Sequence, residues 1–243
     1  MATETAVDDV EDVEGGFPLP KRALLPDAIA DAIAEAIATR HLRPGERIVE
    51  TGLTKRFQVS RVPVREALKI LATQGILVGG GHRGYRVADY GQKKVEQVFE
   101  IRLMLELVLL RDAIRNWQKD SGSLSDLRAV IDRMRRAADA DDFGEMLRAD
   151  LDFHLAIANA SGNEVAISMW KTIARHVLII FNLARYRDIK LSTVVDRHIA
   201  LLKFIEKQVR SPDSGDELKV ALDKHFLARR RQSEEVARMS GLS

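Results

Sequence analysis

The stretch Val59-Ser60-Arg61-Val62-Pro63-Val64-Arg65-Glu66-Ala67-Leu68 decides the reading of this 243-residue chain. Ser60 suits an N-cap, and a helix running to Thr73 follows it. Pro63 falls in the first turn, where its missing N–H had no intrahelical partner to lose. Working toward the N-terminus, Gln58 and Val59 form a tight turn after a short helix, Glu50 to Phe57. Pro44 and Gly45 end an earlier helix, Leu25 to His41, whose Ile29, Ile33 and Ile37 recur every four residues. Toward the C-terminus, Gly75 closes the helix and Ile76, Leu77 and Val78 predict a strand. Gly79 to Gly84 make a loop, and Tyr85 to Val87 a return strand. Three helices and a two-stranded wing complete a small fold over residues 21–87, a winged helix-turn-helix.

Net charge is only +2, yet the charge is unevenly spread. Between Arg40 and Arg86 ten basic residues face three acidic ones, a stretch able to face phosphate. Residues 1–20 are acidic and predict a solvated, disordered leader. The order of a VSR-PVREAL helix and an RGYRV wing resembles the DNA-binding motif of the GntR family. The resemblance implies that the helix N-terminus enters the major groove. Arg61 then reaches a base edge, since a guanidinium can bond guanine O6 and N7 together. Arg65, one turn along, reaches phosphate or base, and Ser60 a phosphate. Gly81, His82, Arg83 and Gly84 of the wing enter the adjoining minor groove, with Arg83 as its contact. Where some members carry an arginine in the second helix, this chain has Thr51. Isolated arginines on a helix read as a solvated face; the ordered motifs argue against that here.

At 46% hydrophobic the chain can build two cores. The absence of cysteine excludes disulfides and zinc ribbons and fits a reducing compartment. No apolar run is long enough to span a membrane, and the N-terminus is acidic where a secretory signal is basic, so a cytoplasmic protein without membrane partners is expected. Residues 88–92 predict a linker and residues 93–240 an all-helical domain of six helices: 93–118, 124–138, 143–160, 164–184, 193–210 and 215–239. The fold class is thus mostly α, a winged helix joined to an all-α bundle.

In the third of those helices Asp150 and His154 stand four apart, on one face, where both can bind one ion. Such pairs are common as plain hydrogen bonds on helix surfaces. His198 and His225, on the last two helices, sit among apolar neighbours and predict inward-pointing imidazoles. This arrangement resembles the FCD effector domain, in its VanR-like six-helix subgroup. The resemblance implies that Asp150, His154, His198 and His225 hold one metal ion. Supporting features are Arg102 and Glu106 on the first helix and the Ala160-Ser161-Gly162-Asn163 turn. Three imidazoles and a carboxylate suit Zn2+, with Ni2+, Mn2+ and Fe2+ as alternatives. One acidic ligand leaves the site positive, so a small anionic metabolite is expected, with Arg102 as the second anchor for its carboxylate. A simple Arg102–Glu106 pair is the alternative.

Together these features predict a ligand-responsive transcription regulator, a repressor, that binds a near-palindromic operator as a homodimer. The linker and the helix start near Lys93 are the expected hinge. A metal sensor is a second reading. A metal-dependent hydrolase is a third, disfavoured because neither HExxH nor a nucleophile elbow is present.

Overall fold

A computed structural model describes residues 24–80, 84–120, 124–183, 190–211 and 217–226. The acidic leader and the wing residues Gly81, His82 and Arg83 lie outside them. The elements are α1 (Leu24–Ala38), β1 (Arg47–Ile48), α2 (Glu50–Phe57), α3 (Arg61–Thr73), β2 (Leu77–Gly79), β3 (Tyr85–Val87), α4 (Gln92–Lys119), α5 (Leu124–Asp139), α6 (Phe143–Ser161), α7 (Glu164–Leu183) and α8 (Leu191–Arg210). Residues 217–226 form a further helical stretch, α9. The chain is a mostly α protein with a winged N-terminal unit and a helical bundle behind it. Among the described residues no helix is long and apolar enough to cross a membrane.

The N-terminal unit departs from expectation in two places. First, its sheet has three strands in the order β1-β3-β2, because Arg47 and Ile48 pair antiparallel with Arg86 and Tyr85. Two residues are too few to show an alternating pattern, so β1 left no trace in the sequence. Second, Ser60 has the extended N-cap backbone, but its side chain makes no capping hydrogen bond. An N-cap oxygen accepts from the second or third residue of the helix, and the third here is Pro63, which has no N–H. Gln58 makes the turn before it in the left-handed region, at φ 53°.

Helix α3 buries Val64, Ala67, Leu68 and Leu71, a single stripe, and turns its arginines out. Helix α1 is buried on two sides: it packs on α3 and also on α7 of the bundle. One apolar core therefore runs from Ile33, Ile37 and Leu68 through Val95, Val98 and Phe99 of α4 to Val177, Ile180 and Phe181 of α7. In the segment expected as a linker, Ala88 and Tyr90 are buried, Tyr90 within this core. A second core joins α4, α5, α6, α8 and α9 around Trp117, Met134, Phe153, Ile205 and Leu222.

Local chemistry closes the helices that frame the bundle. Asp142 caps α6 by accepting from the Glu145 N–H at 2.9 Å. Gly162 ends it at φ 64°, the left-handed position that favours glycine, and Asn163 accepts from the Ala166 N–H to start α7. The Asn116 side chain donates to the Ala160 and Ser161 carbonyls, tying that corner to α4.

Candidate metal centre, effector pocket and DNA-reading face

Helices α4, α6, α8 and α9 meet around four buried donors. Asp150 and His154 project side by side from α6, His198 from α8 and His225 from α9, all at most 4% exposed. The ligand atoms of the three histidines lie within 4.8 Å of one another. His154 Nε2 and His225 Nε2 are 3.3 Å apart, and His198 Nε2 lies 3.1 Å from Asp150 Oδ1. The sequence-predicted set is thus brought together, with Asp150 reaching it through His198.

The outward nitrogens explain why the inward ones converge. His198 Nδ1 is 2.8 Å from the Val194 carbonyl, which can only accept, so Nδ1 carries the proton and Nε2 presents a lone pair. His154 Nδ1 is 2.5 Å from Glu106 Oε2, and the same logic turns its Nε2 inward. Two of these histidines are thus oriented by a carbonyl and a carboxylate, the outer support that metal-binding histidines use. The donor set therefore fits a divalent ion.

Arg102, fully buried on α4, stands one turn from this support. Its Nε donates to Glu106 Oε1 at 2.6 Å, so the carboxylate bridges Arg102 and His154. Burial alone would raise the Glu106 carboxyl, but its contacts with His154 and Arg102 outweigh this and hold it below the usual carboxylate range. The guanidinium carbon is 4.3 Å from the Phe226 ring centre, 5.7 Å from that of Trp170 and 5.8 Å from that of Phe181. Nη1 and Nη2 have no hydrogen-bond partner among the described residues. A buried cation with two unsatisfied donors is costly unless an acceptor joins it. The expected Arg102–Glu106 pair exists, and it uses only one edge of the guanidinium.

Sequence reasoning missed the role of Glu106 toward His154 and the aromatic wall of Trp170, Phe181 and Phe226. The available signal was Glu106 itself: it falls on the stripe of α4 that buries Val95, Val98, Phe99 and Leu109. A carboxylate there needs a partner. Two other histidines take no part in this cluster: His41 Nδ1 is 2.8 Å from Thr39 Oγ1, and His176 lies against the winged unit.

In the winged unit, Ser60, Arg61 and Arg65 line the exposed start of α3. Arg61 makes no ion pair among the described residues, whereas Arg65 Nε is held 2.8 Å from Glu50 Oε2 on α2. Val62, between them in sequence, is 69% exposed. Where the wing leaves the sheet, Gly79 has φ 91° and a Cβ there would stand 2.6 Å from the Gly84 carbonyl oxygen, so no side chain fits. Arg47 of β1 packs against Gly84, adding a cation at the wing base that the sequence did not single out.

Comparison with known proteins agrees with both halves. Residues 25–87 match the family described as bacterial regulatory proteins, gntR family, and residues 97–213 match the FCD domain. The "Probable D-xylose utilization operon transcriptional repressor" of Paenarthrobacter nicotinovorans is 26% identical over 185 residues, covering 76% of this chain and 80% of its own. The Nta operon transcriptional regulator of Aminobacter aminovorans is 31% identical over 138 residues, covering 56% and 64%. Among solved structures, Escherichia coli McbR/YncC superposes with a TM-score of 0.71 at 19% identity, covering 89% of this chain and 98% of its own, a likeness of fold. These relatives are transcriptional regulators rather than enzymes. The chain belongs to the GntR family, as a DNA-binding transcriptional regulator whose winged helix-turn-helix is followed by an effector-binding FCD domain.

Proposed function

We propose that this regulator is a repressor that binds a near-palindromic operator as a homodimer and releases it when a small carboxylate enters the bundle beside a divalent metal ion. The observation that carries the effector reading is the buried Arg102 guanidinium, with Nη1 and Nη2 unpartnered among the described residues and one turn along α4 from Glu106, which contacts His154. Asp150, His154, His198 and His225 hold the ion, zinc being the best match to three imidazoles and one carboxylate. When bound, the ion supplies a fixed positive charge at the pocket floor. Arg102 supplies two parallel donors for the carboxylate, and Phe226, Trp170 and Phe181 exclude water around it.

At the DNA, Arg61 reads a base and Arg65, held by Glu50, reaches phosphate or base; Ser60 donates to phosphate. Gly81, His82, Arg83 and Gly84 follow the minor groove. That Ser60 makes no capping hydrogen bond, and Arg61 no ion pair among the described residues, supports this reading. The homodimer is supported by Ile101 and Met104 on α4 and Val165 and Met169 on α7, large apolar side chains each at least half exposed.

Elemental analysis of protein purified without chelator tests the site. About one ion per chain is expected in the wild type and far less in His198→Ala. Small carboxylic acids should then raise the melting temperature of the wild type and not of Arg102→Ala, which keeps its metal. Protein that is metal-free and takes up no added zinc removes the ion from the reading.

A further inference from the structure

The end of the recognition helix is gripped by one turn of the effector domain. Gln74 is the C-cap of α3. Its carbonyl accepts from His176 Nε2 at 3.0 Å, its Oε1 accepts from Arg175 Nη1 at 3.2 Å, and its Nε2 donates to Thr172 Oγ1 at 3.3 Å. Thr172, Arg175 and His176 lie three and four apart on α7, on a single face. Arg175 reaches further, to α1: its Nε is 2.7 Å from Asp31 Oδ1 and its Nη2 2.9 Å from Asp27 Oδ1. Three nitrogens of one planar fork are thus spent on two helices of the winged unit, and the arginine is 7% exposed.

The same helix also reaches the Arg102 site, because Trp170 and Phe181 of α7 wall its guanidinium. Apolar packing between α1 and α7 draws the two units together, but hydrophobic contact is non-directional and sets no register. A forked guanidinium on fixed acceptors does set one. Its contribution to stability is small, since Asp27 and Asp31 are 57% and 65% exposed.

We propose that Arg175 is a positioning residue for operator recognition: by clamping Gln74, Asp27 and Asp31 it fixes the angle of α3 on the effector domain and so the spacing at which two copies present their recognition helices. The proposal rests on the reading of the protein as a dimer on two half-sites. A pocket occupant that moves Trp170 or Phe181 then acts on α3 through a single rigid helix, without passing through the chain between the two units.

The test uses duplexes enriched by the wild-type protein from a random library, rebuilt with the half-sites moved apart or together by a few base pairs. The wild type should bind one spacing strongly over the others. Asp27→Ala/Asp31→Ala removes both acceptors from exposed helix positions, leaves Arg175 its bond to Gln74 and is expected to fold, with a melting temperature lowered by the two unmet guanidinium nitrogens. Its discrimination between spacings should fall about tenfold while its affinity for a single half-site is unchanged. Arg175→Gln should do the same. Wild-type discrimination retained in the aspartate variant overturns the clamp and leaves the dimer reading standing. A wild type indifferent to spacing overturns both.

Discussion

A single carboxylate, Glu106, answers two buried demands at once: it neutralises Arg102 through Oε1 and orients His154 through Oε2. Glu106→Gln keeps the shape and removes the charge that makes His154 a stronger donor. Zinc affinity, measured by competition with a chromophoric chelator, should fall about 10–100-fold, the usual cost of losing such a support. Unchanged affinity would show that Glu106 serves Arg102 alone. Here the sequence was half legible. Arg102 and Glu106 stand four apart on a stripe otherwise apolar, which announces a buried pair. That the second oxygen meets His154 depends on how α4 lies against α6, and spacing along one helix carries no record of it.

At the scale of the element, α3 was legible because its signals are local: a stripe at helical period, a proline confined to the first turn, and Gly75 closing the end at φ 72°. Helices α4 to α8 followed from the same periodicity. Helices α4 and α7 also keep large apolar side chains facing outward, among them Met104 and Met169. Burying such positions against a second copy is the simplest way to satisfy them. Met104→Lys/Met169→Lys should therefore sediment near the monomer mass of 27.2 kDa rather than twice that, with helicity intact. Its operator affinity should drop about a hundredfold, as the two half-sites stop being bound as a unit. A variant that remains dimeric would move the interface to another face. Exposure of this kind was not readable beforehand, because an outward methionine and a core methionine look alike in a helical pattern.

Across the whole molecule, the docking of the winged unit on the bundle carries its own pH dependence. His176 is buried between α7, Tyr90 and the end of α3; its Nε2 donates to the Gln74 carbonyl and its Nδ1 therefore accepts from the Tyr90 hydroxyl at 3.0 Å. Burial pushes its pKa down to about 4 from 6.5; the bond to Gln74 partly opposes this, and the nearby Lys94 ammonium adds to it. Released from the interface, the imidazole takes up a proton below about pH 6.5 that the docked form refuses. Docking is then fully favoured above about pH 6.5 and weakens as pH falls toward 4, by on the order of 3 kcal/mol at most. Urea midpoints across that range should fall more steeply in the wild type than in His176→Gln. Parallel slopes would assign the acid sensitivity to carboxylates instead.

The sequence by itself determined the class and order of the two halves and the helix of the winged unit that follows Ser60, and it placed Asp150, His154, His198 and His225 on the inward faces of their helices. Each of these is written in patterns spanning a turn or two, where helical period, capping and turn chemistry act. Only the tertiary structure decided that His154 and His225, 71 residues apart, place their Nε2 atoms 3.3 Å from each other. It alone gave Arg102 its aromatic wall, and it alone showed that Ala88 and Tyr90, in the segment expected as a linker, are buried. The reason is physical: local periodicity chooses which face of a helix is turned inward, while the side chain it meets there is chosen by packing among helices distant in the chain.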